Sequence, residues 1–147
     1  MSAYVLDASA LLRFTDKEPG YNRVRDLLNQ AAKGQAELFI SAVNWSEIVT
    51  TLFKRESAVR PVTQPTTLGS NLAALPISIM PVYQHDAEAA AAFKYNFNVP
   101  LADAFAGSLT QSMSTASLKR PATLVTADYD FKSVPSGTIK IEFLPIK

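Results

Sequence analysis

The chain has no cysteine and a single histidine, His85. Disulfides, thiolate metal sites, cysteine nucleophiles and any zinc cluster built on several histidines are thereby excluded. His85, alone before a helix start, reads as a surface or capping residue rather than a ligand. No apolar run approaches the roughly 20 residues needed to cross a bilayer, and the N-terminus lacks a basic segment leading into an apolar one. Together with the absence of cysteine, this sets the expectation of a soluble cytoplasmic protein. Charge is also scarce. Only 18% of residues are charged against 48% apolar, where soluble domains carry roughly 25% charge, so the chain has the composition of a folded domain rather than a disordered one. A net charge of +1 provides no strong field to draw nucleic acid in from a distance, so any such binding must rest on a local basic patch. With 13 acids in 147 residues, the placement of each carboxylate is informative.

The length suits one domain, residues 1–147, built on one hydrophobic core. Ala3-Tyr4-Val5-Leu6 is a short apolar run that stops at Asp7-Ala8-Ser9, the pattern of a strand delivering a carboxylate to its carboxyl end. Ala10, Leu11, Leu12 and Phe14 suggest a short helix ending near Glu18-Pro19-Gly20. Tyr21, Val24, Leu27, Leu28 and Ala31 recur at helical spacing, with Gly34 in a C-terminal position. Leu38-Phe39-Ile40 reads as a buried strand. A helix over Asn44 to about Ser57 follows, with Trp45, Ile48, Val49, Leu52 and Phe53 on one stripe.

Between Arg60 and Pro76 the sequence is rich in proline, threonine and serine, with only a weak helical hint at Leu68, Leu72 and Leu75. Ile77, Ile79 and Val82 suggest a strand despite Pro81, and Asp86 opens an alanine-rich helix through Phe93. Pro100-Leu101-Ala102-Asp103 leads into a helix marked by Phe105, Leu109 and Met113. Thr123–Thr126 is a buried strand, and Ile139–Phe143 alternates as an edge strand with one solvated side should. Strands separated by helices imply right-handed crossovers and a parallel sheet covered on both faces, so the fold class is α/β.

Asp7 and Asp128 each follow an apolar strand directly and so share the carboxyl edge of such a sheet, where ligands bind in open α/β folds. Glu47, in the first turn of its helix, and Asp103, early in its own, can reach the same rim. Each also has a structural explanation. Asp7 or Ser9 can cap a helix, Asn44-Trp45-Ser46-Glu47 has the spacing of a capping box, and Asp103 favours a helix N-terminus. Capping alone does not require the four to gather at one edge. Carboxylates gathered at close range repel unless some protonate or a cation neutralises them. Oxygen ligands without histidine or cysteine favour a hard ion, magnesium or manganese, which acts on phosphates by orienting them and lowering the pKa of a bound water.

Val5-Leu6-Asp7-Ala8-Ser9, then Ser46-Glu47, then Leu101-Ala102-Asp103-Ala104, then Thr126-Ala127-Asp128 with Phe131, and the closing Lys140-Ile141-Glu142, in this order and spacing, resemble the PIN-domain ribonucleases and especially VapC toxins of toxin–antitoxin pairs. The resemblance implies a three-layer α/β/α fold with a five-stranded parallel sheet in the order 3-2-1-4-5. It implies that Asp7, Glu47, Asp103 and Asp128 form the acidic quartet that holds Mg2+ or Mn2+, with Ser9 and Thr126 in supporting positions and Asp130 a further candidate. It also implies RNA as substrate, a metal-activated water as nucleophile, a homodimer, and a cognate antitoxin whose tail occupies the acidic groove.

The rival readings are a PIN nuclease of RNA processing with no toxin role, and an interaction module that keeps the fold without cutting. An aspartyl phosphatase fits less well, because Asp7-Ala8-Ser9 lacks a second aspartate two residues on. Arg13, Lys17, Lys54, Arg55 and Arg60 are candidates to grip a nucleic-acid backbone, although scattered basic residues usually form a solvated face.

Overall fold

A computed structural model describes residues 1–57, 59–115 and 121–147. In chain order the elements are β1 (Ser2–Leu6), α1 (Ala8–Asp16), α2 (Tyr21–Ala32), β2 (Ala36–Ser41), α3 (Ala42–Glu56), α4 (Thr67–Ala73), β3 (Ser78–Met80), α5 (Gln84–Phe97), α6 (Leu101–Thr115), β4 (Ala122–Thr126) and β5 (Lys140–Phe143), with a 3-10 turn at Tyr129–Ser133. The five strands form one parallel sheet in the order β3-β2-β1-β4-β5. The direction of winding reverses between β1 and β4, so the carboxyl ends of these two central strands flank a crevice suited to a ligand.

The period of two along each strand sorts side chains to opposite faces. Ala3 and Val5 of β1, with Ala122 and Leu124 of β4, pack against Ala90 and Phe93 of α5 and Ala104, Ala106 and Met113 of α6. Leu6, Leu38 and Val125 point the other way, onto Ala10 of α1 and Val24, Leu27 and Leu28 of α2. Ile40 continues that second face and meets Leu11, Ile48, Leu52 and Leu72 from α1, α3 and α4. The result is a three-layer α/β/α fold. α5 and α6 approach closely because Gly107 has no side chain: a Cβ there would lie 2.4 Å from Phe93 Cζ.

β5 closes one edge, and the Arg23 guanidinium of α2 holds its Glu142 in a two-pronged pair at 2.7 and 3.0 Å. The polar side of this edge strand is thus half covered rather than fully solvated.

Several boundaries differ from the sequence expectations, for local reasons. α1 begins two residues earlier than its apolar pattern suggests, because Asp7 caps it by accepting from Ala10 N. α3 begins at Ala42 with Ser41 as its cap, so Asn44 to Glu47 is not a capping box and Glu47 sits in the second turn. The third strand is only Ser78–Met80, and Val82 lies beyond it after Pro81, which has no N–H to offer a ladder. α5 starts at Gln84, with Asp86 as its third residue reaching back to Tyr83 N at 2.9 Å. The unassigned stretch from Arg60 to Pro76 holds α4, capped by the Thr66 hydroxyl on Gly69 N.

Candidate active site

Register places the first two groups of the site. Leu6 pairs with Val125 across β1 and β4, so the next residues, Asp7 and Thr126, face each other where the two strands end. Asp7 is 2% exposed, and its carboxylate accepts from three donors: Ser9 Oγ at 2.7 Å, Ala10 N at 2.9 Å and Thr126 Oγ1. The first two bind Oδ1, leaving Oδ2 with Thr126. Both hydroxyls also accept hydrogen bonds, Ser9 Oγ from Ala127 N and Thr126 Oγ1 from Asp128 N, each at 2.9 Å. Ser9 and Thr126 therefore tie the end of β1 to the turn that carries Asp128, and they fix the orientation of Asp7.

Asp128 repeats the arrangement one strand away. It follows β4 and caps the 3-10 turn, its Oδ1 accepting from Asp130 N at 2.9 Å. Asp103 comes from the first turn of α6 and is 8% exposed. Among the described residues its Oδ2 is buried without a hydrogen-bond partner. Glu47, exposed, reaches the same place from α3. Asp7, Ser9, Asn44, Glu47, Asp103 and Asp128 all line one cleft of roughly 260 Å³. A larger cavity of about 780 Å³ lies beside β5, but Phe131, Val134, Ile139 and Ile141 line it and no described acid does. Of the two, only the smaller cleft is lined by carboxylates.

Burial and repulsion distort the acids there. Asp103 is pushed up to about 8, first by burial, then by a hydrogen bond and charge repulsion from Asp128, and further by Asp7 and Asp130. Asp7 is pushed up to about 6 because burial outweighs the donors Thr126, Ser9 and Ala10, with Asp128 adding repulsion. Asp103, Asp128 and Asp130 each offer an oxygen within 4.8 Å of the others. Asp130, the least regarded candidate in the sequence, thus belongs to the tightest acidic set, whereas Asp7 and Glu47 border the same cleft outside it.

An all-oxygen donor set with one buried carboxylate oxygen lacking any partner fits a divalent hard cation, which would both ligate that oxygen and relieve the repulsion. Among the basic candidates, Arg55 is already engaged with Asp16 at 2.6 Å, and Arg13 donates to Pro19 O at 3.3 Å.

Sequence reasoning missed Asn44 as part of the site. It is 1% exposed; its Nδ2 donates to Ala102 O at 3.1 Å and comes within 3.5 Å of Glu47 Oε2, and its Oδ1 has no partner. The available signal was its spacing of three from Glu47, which places both on one helix face.

No helix among the described residues is long and apolar enough to cross a membrane. No curated protein sequence matches the chain. Among solved structures, a chain of the VapBC2 complex from Rickettsia felis, bound to a DNA fragment from its promoter, is similar over 97% of this chain and 99% of its own, with TM-score 0.67 and 14% identity. A chain of a toxin–antitoxin complex from Klebsiella pneumoniae is similar over 90% and 92%, with TM-score 0.59 and 18% identity. At such identities the likeness is one of fold, and both chains are spanned nearly end to end. The family model for the PIN domain matches residues 4–137, which take in β1 to β4 and every acid of the cleft but not β5, and the chain belongs to the PIN-domain family.

Proposed function

We propose that this protein is a divalent-metal-dependent endoribonuclease and the toxin of a VapBC-type toxin–antitoxin pair. The observation that carries the nuclease reading is the cleft itself, where carboxylates from four separate segments converge and the buried Asp103 Oδ2 lacks a partner. Support for the toxin role comes from the two similar structures, one described as VapBC2 and the other as a toxin–antitoxin complex.

Mg2+ or Mn2+ bound there supplies Lewis acidity toward a phosphodiester and a water of lowered pKa. Asp103, Asp128 and Asp130, each with an oxygen within 4.8 Å of the others, would hold such an ion together with Asp7, which lines the cleft beside Asp103 and Asp128. Asp7 is fixed by Ser9, Ala10 and Thr126, so its orientation is set before substrate arrives. Glu47, from α3, lines the same cleft and would accept a proton from an attacking water there.

Cleavage of RNA with added Mg2+ or Mn2+, its loss in EDTA, and products bearing 5′-phosphate and 3′-hydroxyl ends are the expected results. A 2′,3′-cyclic phosphate would contradict the mechanism, because the ribose 2′-hydroxyl is not the nucleophile. Expression should arrest growth, and co-expression of a small adjacent gene product should relieve the arrest. A nuclease of RNA processing would cleave without that relief. Light scattering should find a homodimer in the absence of the antitoxin.

A further inference from the structure

Asn44 is a buried amide that lines the acidic cleft with half of its hydrogen-bonding capacity unused among the described residues. Its donor end is committed. Nδ2 donates to the carbonyl of Ala102, the residue immediately before Asp103, at 3.1 Å, and lies 3.5 Å from Glu47 Oε2. One amide thus touches the backbone that positions Asp103 and the side chain of Glu47. These contacts also fix the orientation of the amide, since turning it over would set Oδ1 against two acceptors. Oδ1 is left buried with no donor.

Ala102 lies within α6, so its carbonyl has a helical partner available without Asn44. Among the described residues no donor reaches Oδ1, and a buried acceptor with no donor is costly. Asp103 Oδ2, the other buried side-chain atom without a partner among the described residues, lines the same cleft. Both are acceptors. One kind of occupant satisfies the pair: a cation to ligate the carboxylate oxygen, carrying a donor for the amide oxygen.

We propose that Asn44 is a positioning residue for a hydrated divalent cation: its Nδ2 holds Glu47 and the start of α6 in register, and its Oδ1 accepts a hydrogen bond from a water on the cation. The inference rests on the metal reading above and adds a residue outside the carboxylates. Outer partners of this kind typically change metal affinity by about 10- to 100-fold.

The test is titration of the folded apo-protein with Mn2+ alone, read by electron paramagnetic resonance of free Mn2+ and by water-proton relaxation of the bound ion, alongside urea unfolding in EDTA. Asn44→Leu removes both ends of the amide at similar volume. It should fold with stability close to wild type in EDTA, because the unsatisfied acceptor leaves with the donor, yet bind Mn2+ about 10- to 100-fold more weakly and show altered relaxation at saturation. If that variant fails to fold, Asn44→Ala reports the same two quantities. Wild-type Mn2+ affinity and relaxation in either folded variant would overturn the proposal, including when stability falls, since that is the pattern of a purely structural residue. No Mn2+ binding by the wild type would instead overturn the metal reading itself.

Discussion

Replacing Asp7 by asparagine should make the metal-free protein more stable while abolishing its chemistry. Asp7 is an acid whose folded pKa, about 6, lies above its ordinary 3.8. Folding therefore favours its neutral form. Its contribution is best below pH 3.8, worsens as pH rises toward 6, and is at its worst above 6. At about 1.4 kcal/mol per pKa unit, that gap amounts to about 3 kcal/mol held against the folded state at pH 7.5. Asparagine stands in for the neutral acid at every pH. It keeps the acceptor for Ser9 Oγ and Ala10 N and presents an NH2 to Thr126 Oγ1, whose own hydrogen must turn elsewhere. Losing that charge-assisted bond costs about 1 to 2 kcal/mol.

The net expectation in EDTA at pH 7.5 is that Asp7→Asn is more stable by about 1 to 2 kcal/mol, and that this advantage falls by about 2 kcal/mol at pH 4. With Mn2+ at about 100 times its Kd, the wild type gains about 2.7 kcal/mol that the variant largely forgoes, and the order reverses. Urea unfolding at the two pH values, with and without Mn2+, measures all three quantities, and RNA cleavage reports the lost activity. A variant less stable than wild type in EDTA at pH 7.5, with no change in the difference at pH 4, would refute the claim that a buried, repelled carboxylate occupies this position.

Thr126→Val removes the hydroxyl that donates to Asp7 Oδ2 and accepts from Asp128 N. It should cost about 1 to 3 kcal/mol in urea unfolding and reduce cleavage, whereas Thr126→Ser should retain most of both. Gly107→Ala places a Cβ 2.4 Å from Phe93 Cζ, in a ring contact that is itself buried. Overpacking costs about 1 to 3 kcal/mol, offset by up to about 1 kcal/mol from alanine's helix propensity, so a net loss is expected, and Phe93→Leu in the same chain should recover part of it.

The architecture was legible because its signals are long-range averages. Apolar runs such as Tyr4–Leu6 and Thr123–Val125, separated by helical stripes, are consistent with little other than a covered parallel sheet, and small errors at their ends leave the class unchanged. Strand order is different: periodicity does not contain it, and only the resemblance supplied β3-β2-β1-β4-β5. The errors fall where two short-range signals compete. Asn44 and Glu47 look like a capping box because the spacing is right, but Ser41 already caps α3 and the helix runs through both. Residues 60–76 gave little because α4 is only seven residues long and its neighbours are prolines and threonines with no period of their own.

The site was harder to read than the fold because capping and catalysis were weighed as alternatives. In the structure, Asp7 and Asp128 both follow a strand, both cap the element that comes next, and both line the acidic cleft. The coincidence has a cause. A parallel strand that ends and a helix that begins share one turn, so a short carboxylate in that turn meets the helix N–H groups and also the crevice outside the strand ends. A carboxylate has two oxygens, and in Asp7 the division is explicit: Oδ1 accepts from Ala10 N and Ser9 Oγ, while Oδ2 faces Thr126 across the sheet. Capping immobilises the side chain that a ligand site needs held still, so evidence for the cap at these two positions supports the site. Asp103 lies in a first turn as well, but among the described residues its buried Oδ2 has no such partner, and that difference separates a carboxylate satisfied within the fold from one left free to meet an occupant of the cleft.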